Sequence, residues 1–463
     1  MKKIFIIIPD GVGLRNYALS GFYTKAQKKF DVVYWNATSF PINKRLGLPE
    51  LKMPPFEAEL FLDFIKTLRQ HAEVEYYSRK YKAPAYRWGV KLPAGKSWKQ
   101  RFKNFFIKSG KYLFVSPGGI RFLQTQLEKI ARSGSYYRAV KQQLAEQRPD
   151  LVLSTHQRPL AGLAPVLAAK DLGIPTLGFI FSWDNLPKGT LNIKTEYYAV
   201  WSAYMKDEML RYYPEIDKSR IRVTGTPQFE MHFDKRLFLS RESFFKQIDA
   251  DPSVRWLLFS GDDKRTSPYD PVFLKDLATA VRKYNANHTQ QLGILLRPVP
   301  VDFSGRYDEV IAGFSDVVRL VQPLWENLTK GWASYFPTRE DMQMLHNLGE
   351  HTEAVINVGS SMVFDFVAHN KPTVYLNYNP TGIDTDKWSV EKIYGLIHFR
   401  SMPSGESVLW MNNPGEWPEL FDRILNGDYD LTETRHWFDK INLPPQNQAS
   451  FRIIALMEKI LSR

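Results

Sequence analysis

Residues 355–376 read VINVGSSMVFDFVAHNKPTVYL. A β-type run, AVINVG, ends in Gly359-Ser360-Ser361. A helical run, SMVFDFVAHN, follows, and Lys371-Pro372 leads into a second β-type run, PTVYLN. Short apolar strands alternating with helices imply a parallel sheet. The rhythm extends in both directions. WLLFSG, LGILLRP and DVVRLV read as strands and PVFLKDLATAVRKYN as a helix. PTREDMQMLHNLGEH reads as a helix with Thr338 as its N-cap and Asp341 three residues on. In the first half, KKIFIIIP, FDVVYWN, DLVLST, IPTLGFIF, EYYAVWS and IRVTG read as strands. RNYALSGFYTKAQKKF, LAPVLAAKDLG and AYMKDEMLRYY read as helices. The expected fold is α/β, with two Rossmann-like domains facing a cleft. The first spans 1–235 and the second 250–440. A last helix, 446–463, follows the Pro444-Pro445 break and returns to the first domain.

The totals agree with two domains. A chain of 463 residues, 44% hydrophobic and 14% aromatic, can fill two cores and is too apolar for disorder. It has no cysteine, which excludes disulfides, thiolate metal sites and cysteine nucleophiles. The opening MKKIFIIIPDG imitates a signal peptide, but its apolar run is only Ile4 to Ile8 and stops at Pro9-Asp10. It reads as a buried strand. No stretch reaches the roughly 18 apolar residues of a membrane span. The expectation is a cytoplasmic protein, at most peripheral at the inner face of the cell membrane.

The net charge of +13 is unevenly placed. Residues 1–230 hold 37 basic and 19 acidic residues, a net of +18; the remaining chain holds 25 and 30, a net of −5. A basic half implies an anionic partner or a plain solvated face. Residues 78–125 break the α/β rhythm: Lys96, Lys99, Arg101, Lys103, Lys108 and Lys111 interleave with Trp98, Phe102, Phe105, Phe106, Tyr112 and Phe114. This reads as an inserted basic, amphipathic helix. Its aromatics either pack on the domain or form an acceptor-side or membrane-surface element. The stretch has no RRM or helix-turn-helix pattern, so nucleic acid is not expected.

In the opening stretch, Gly359, Ser360 and Ser361 fall at a helix start. Unpaired N–H groups there favour an anion, and glycine lets a phosphate approach the backbone. Asp365, one turn on, is placed to accept from ribose hydroxyls. The plain alternative is that the serines only cap the helix. WLLFSGDDKR puts Gly261, Asp262, Asp263, Lys264 and Arg265 after the first strand of the second domain, the position of a phosphate-facing loop. Arg297 ends the next strand, where it can clamp a diphosphate or serve structure alone.

The order of these three features resembles the GT-B glycosyltransferases, especially those that build bacterial surface polysaccharides, and also the CDP-glycerol glycerophosphotransferases. VWSAYMKDEML and VTGTPQFE are similar to the end of a GT-B acceptor domain. The resemblance implies a nucleotide-diphosphate sugar bound by Ser360, Ser361 and Asp365 in the second domain. The first domain would bind a glycan or lipid-linked acceptor. The implied activity is metal-independent glycosyl transfer in surface polysaccharide synthesis, inverting, with no cofactor beyond the donor. Two departures stand out. Arg297-Pro298-Val299-Pro300 has valine where the glycerophosphotransferases carry histidine, and Asp365 replaces the glutamate common in sugar-nucleotide enzymes.

Inverting transfer needs a base for the acceptor hydroxyl. Asp10 in the PDGVGLRN loop, Asp184 in FSWDNLPKGT and His156 at the end of VLSTHQR are the candidates. Trp183, Asp184, Asn185 and Lys188 also form a set suited to holding a sugar, while a turn aspartate is the structural alternative for Asp184. No His-x-x-x-His or paired-cysteine motif offers a metal site. A glycerophosphotransferase, a sugar-nucleotide 2-epimerase and an inactive GT-B-like binding subunit are the competing readings.

Overall fold

An unbroken apolar run such as Ile4 to Ile8 suits a strand buried on both faces, as in the interior of a parallel sheet. In the computed structural model, which describes residues 1–57, 60–95, 97–328 and 334–462, these five residues are fully buried in the strand Lys2–Ile8, β1. The chain divides into two compact units. One comprises Met1–Pro227, Leu396–Arg400 and Lys440–Arg463; the other comprises Gln228–Gly395 and Ser401–Asp439.

In the first unit, β1 is followed by β2 (Phe30–Asn36), β3 (Glu50–Lys52), β4 (Leu151–Ser154), β5 (Thr176–Phe179), β6 (Tyr197–Val200) and β7 (Ile221–Val223). Their order is β3-β2-β1-β4-β5-β6-β7, and every pairing is parallel. One face of the sheet, with Phe5, Ile7, Trp35 and Val152, packs against Leu62, Leu123, Leu144 and Leu167 of the helices. Strand order reverses beside β1, between β1 and β4.

The second unit repeats the plan. β8 (Arg255–Ser260), β9 (Leu292–Arg297) and β10 (Val318–Leu320) are followed by a hairpin, β11 (Trp325–Asn327) with β12 (Tyr335–Pro337). β13 (Val355–Asn357), β14 (Thr373–Leu376) and β15 (Leu409–Met411) complete the sheet. Its order is β10-β9-β8-β13-β14-β15, again all parallel. Leu257, Phe259, Ile294 and Ile356 fill one face, and Leu258, Leu295 and Val355 fill the other. The order reverses between β8 and β13. Both units are therefore Rossmann-like, with helices on the sheets.

Several expected elements differ. RNYALSGFYTKAQKKF is not one helix: a wide turn Arg15–Leu19 and a helix Phe22–Ala26 are separated at Ser20. The Ser20 hydroxyl donates to Asn16 O and accepts from Phe22 N, so a local cap replaces helix continuation. The insertion is larger than 78–125. Helices Leu60–Lys80, Ala85–Trp88, Trp98–Gly110 and Pro117–Ser133 all lie between β3 and β4. Lys96 lies outside the described residues. The helix after β13 covers only Met362–Val367.

The unit boundary falls at Pro227 instead of 235. Phe229 packs edge-on against Phe364 at 6.1 Å and Phe438 at 5.1 Å, and this aromatic contact draws the following segment into the second unit. Leu396–Arg400 belongs to the first unit, where His398 meets Trp183 edge-on at 4.7 Å. The last helix, Ala449–Leu461, belongs to the first unit, with Glu458 3.1 Å from Lys29 and Lys25 over the Phe451 ring. Among the described residues, no helix is long and apolar enough to cross a membrane.

Candidate functional site

Ligands of open parallel sheets bind at the carboxyl ends of the strands where the order reverses. In the first unit that place is the end of β1 and β4, and it carries Asp10 and His156. Asp10 caps the turn after β1 by accepting from Gly13 N at 2.8 Å. Its other oxygen meets His156 Nδ1 at 2.6 Å. A Cβ on Gly13 would stand 3.0 Å from the Thr155 hydroxyl, so the turn stays close to the strand because it is glycine. The imidazole stacks on Phe181 with centroids 3.8 Å apart, and Phe181 N donates to Gln157 Oε1. His156 Nε2 is buried without a hydrogen-bond partner.

The electrostatics fix the protonation of this dyad. Burial lowers the His156 pKa below its usual 6.5, against the opposing pull of Asp10. Burial would raise Asp10, but the hydrogen bond and charge of His156 and the amides of Gly13 and Val12 outweigh it, leaving Asp10 below the usual carboxylate range. At neutral pH the pair is therefore an aspartate and a neutral histidine. Nδ1–H points at the carboxylate, and Nε2 carries a lone pair. A ring held in this tautomer can accept a proton at Nε2.

Asp184 is placed differently. Its carboxylate accepts from Lys188 Nζ and, at 2.7 Å, from Asn185 Nδ2. Burial would raise its pKa, but Lys188 and His398 pull it well below the usual range. A carboxylate so stabilised is a weak proton acceptor. Its loop is held from behind: Arg69 donates to Gly189 O and Asn192 Oδ1, and Gln70 donates to Lys188 O. The geometry brings Asp10 and His156 together and makes Asp184 part of a separate ion pair.

In the second unit the reversal lies at the ends of β8 and β13. Gly359 has φ +70°, a conformation that glycine adopts without strain. Ser360 N donates to Asn357 Oδ1 at 2.8 Å, and Ser360 O accepts from the Tyr375 hydroxyl. Ser361 caps nothing with its side chain. Asn357 Nδ2 is buried without a partner, as is Arg297 Nη1; Arg297 Nη2 donates to Asp341 at 2.7 Å. Two unpartnered donors thus stand at the ends of β13 and β9, on either side of β8.

The Gly261–Arg265 loop is not an amide cradle. Asp262 N donates to Asp270, Asp263 N to Asp262, and Arg265 N to Asp263. Carboxylates of the loop and of Asp270 consume these N–H groups, leaving the exposed Lys264 and Arg265 side chains to meet an anion. Gly261 is required for packing, since a Cβ there would collide with the Tyr307 hydroxyl. Burial, then the Asp270 charge, pushes Asp262 up to about 7. Asp365 is committed as well: Oδ1 accepts from His232 Nε2 at 2.7 Å.

The whole chain can be superposed on known structures. S. aureus MnaA in its UDP co-structure matches with a TM-score of 0.54 at 11% identity, covering 100% of this chain and 97% of that one. A glycosyltransferase from Rickettsia africae matches at 0.53 and 10%, covering 100% and 99%. The UDP-GlcNAc 2-epimerase of Methanocaldococcus jannaschii matches at 0.51 and 12%, covering 99% and 100%. The fold is GT-B. No protein-family model matches the chain, and no curated protein matches it in sequence.

Within the GT-B fold, both strand-end positions are legible in the sequence because each follows an apolar strand directly. Asn357, whose free donor depends on the turn it supports, is not legible there. Neither is a cluster of His232, His346 and His369 in the second unit. No local motif announces it, because these histidines are drawn together by the fold from positions up to 137 residues apart.

Proposed function

We propose that the protein is a glycosyltransferase that moves a sugar from a nucleoside-diphosphate donor to the hydroxyl of a glycan or lipid-linked acceptor in surface polysaccharide synthesis, with inversion. The observation that carries this reading is the Asp10–His156 dyad with its buried, unpartnered Nε2. His156 Nε2 takes the proton of the acceptor hydroxyl as the new C–O bond forms at the anomeric carbon. The bond to the diphosphate oxygen breaks, and the nucleoside diphosphate leaves. Ser360, Ser361, Asn357 and Arg297 supply donors for that diphosphate. With a helix of only six residues, its dipole adds little, so hydroxyl and side-chain donors matter more. Asp365 would reach a ribose only through the oxygen not held by His232. Neither a cofactor nor a metal enters the step.

The acceptor side is supported by the insertion. Trp98, Phe102, Phe105 and Phe106 are 73%, 58%, 62% and 45% exposed, so the helix presents its rings outward instead of packing them. A cavity of about 480 Å³ beside it is lined by His71, Arg87, Lys91, Lys108 and Lys111, of which Arg87 and Lys111 pair with Glu75. Exposed rings and a cationic cavity suit an acceptor carried on a lipid phosphate. Lys103 is paired with Asp63 at 2.5 Å, and Lys111 with Glu75 at 3.0 Å, which leaves Lys99, Arg101 and Lys108 as the charges for a membrane surface. The protein is expected to float with anionic but not neutral vesicles at low salt. Glutamate at Lys99, Arg101 and Lys108 should abolish flotation; unchanged flotation would mean that these charges do not hold the protein to the lipid surface.

Epimerisation of a UDP-sugar is the second reading, supported by the UDP-GlcNAc 2-epimerase among the structural neighbours. The dyad would then take a carbon-bound proton. Incubation with nucleotide sugars in D₂O separates the two. A transferase releases nucleoside diphosphate when acceptor is added, with no deuterium in recovered donor; an epimerase incorporates deuterium without release. Ser361→Ala should weaken nucleoside-diphosphate binding by calorimetry about tenfold, the worth of a charge-assisted hydrogen bond of about 1.5 kcal/mol. Unchanged affinity would place the diphosphate elsewhere.

A further inference from the structure

His232, in the segment after β7, His346, on the helix Arg339–His351, and His369, just after the helix Met362–Val367, lie within the second unit. One ring nitrogen from each lies within 4.8 Å of the others. The remaining nitrogens are each bound to a group that can only accept. His232 Nε2 meets Asp365 Oδ1 at 2.7 Å, His369 Nδ1 meets Glu350 Oε2 at 2.9 Å, and His346 Nδ1 meets the Met231 carbonyl at 3.1 Å. Those three nitrogens therefore carry hydrogens. In neutral rings this leaves lone pairs on His232 Nδ1, His369 Nε2 and His346 Nε2.

Such an arrangement is frustrated by itself. His232 Nδ1 and His369 Nε2 stand 2.9 Å apart, a hydrogen-bond distance, yet with both rings neutral neither nitrogen has a hydrogen to share. A positive charge between them removes the conflict. Metal-bound histidines typically give their other N–H to a carboxylate or a backbone carbonyl, which fixes tautomer and orientation. All three histidines here do so. The two flanking carboxylates, Asp365 and Glu350, balance the charge of a divalent ion.

We propose that His232, His346 and His369 form a three-histidine site for a divalent transition metal, with zinc as the ion that suits it. Three neutral imidazoles at about 2.0–2.1 Å, with one position left for water, match zinc's tetrahedral preference. Tetrahedral geometry places ligand nitrogens about 3.3 Å apart. The close pair opens by a few tenths of an ångström, and the third ring closes in. The ion ties the segment after β7 to the two helices and, through His232, holds Asp365 in place. Its role is separate from the transfer chemistry proposed above.

The test uses the full chain, stripped of metal by a chelator and dialysed, then titrated with zinc chloride in a calorimeter and with Co(II) in the visible range. One zinc per chain is expected to bind with a Kd of about 1 µM or tighter, and Co(II) should give the intense visible bands of a tetrahedral site. His346→Gln should weaken zinc binding by about 100-fold or more and remove those bands. His436→Gln, at an exposed histidine elsewhere, should change neither. No stoichiometric zinc uptake by the unmodified chain, or equal affinity in His346→Gln, overturns the site. X-ray absorption of the zinc-loaded unmodified chain gives an answer that does not depend on any variant's folding. Three imidazole nitrogens near 2.0 Å support the site, and fewer overturn it.

Discussion

Replacing His156 by glutamine is expected to lower turnover by about 10²–10⁴-fold, the usual contribution of a positioned base, while nucleotide binding stays within twofold. The binding should persist because the proposed diphosphate donors lie in the second unit. Asp10→Asn should also lower turnover, since an amide can donate to Nδ1 and stabilise the wrong tautomer. The pH profile adds a readout that a structural role would not move. The base must be neutral, and its pKa is lowered from 6.5. The rate should therefore hold as pH falls to 6.5 and drop only below it, along a limb that His156→Gln abolishes. If both variants turn over normally, the dyad is not the base.

The second large effect concerns Arg69. Its side chain is 1% exposed and contacts Glu73, itself 2% exposed, at 2.6 Å; it also donates to Gly189 O and Asn192. Arg69→Met removes the cation and leaves the Glu73 carboxylate buried without a counter-charge, held by the Tyr77 hydroxyl at 2.6 Å. Breaking a buried pair in this way costs about 3–5 kcal/mol, a large part of a domain's stability. Replacing both residues, Arg69→Met with Glu73→Leu, should recover most of that loss, because no unpaired charge remains. Chemical denaturation of the two variants decides the matter: a double variant no more stable than the single one would mean that the arginine acts through its backbone bonds to the Gly189–Asn192 loop. That loop carries Asp184 and Lys188, so the single variant should also disturb the ion pair beside the insertion.

How much was legible depended on whether the cause was local. Ile4 to Ile8, AVINVG and PTVYLN are runs whose apolar character alone requires burial on both faces, so the parallel sheets followed from them. Thr338 as N-cap was equally local, and Asp341 N does donate to its hydroxyl at 3.1 Å. RNYALSGFYTKAQKKF was misread as one helix because the Ser20 hydroxyl competes with the backbone, an effect that propensity does not register. The short strands β3 and β15 take their conformation from pairing with β2 and β14 and have little signal of their own.

For the site, the sequence placed Asp10, His156, Gly359 and Arg297 at strand ends by counting residues along the chain. It left Asp184 and Asp10 as the leading candidates with His156 after them, because each is a titratable group after an apolar strand. Only the tertiary structure separated them. Adjacency of β1 and β4 in the sheet joins Asp10 to His156, 146 residues apart, while Asp184 finds Lys188 on its own loop. The same holds for the Gly261–Arg265 loop, whose amides turn inward to carboxylates, and for His232, His346 and His369. Sequence determined what could be buried and where chains must turn, since those follow from near neighbours. Which polar groups met was decided by strand order and helix packing, since a hydrogen bond or metal ligand set depends on distance in space and not along the chain.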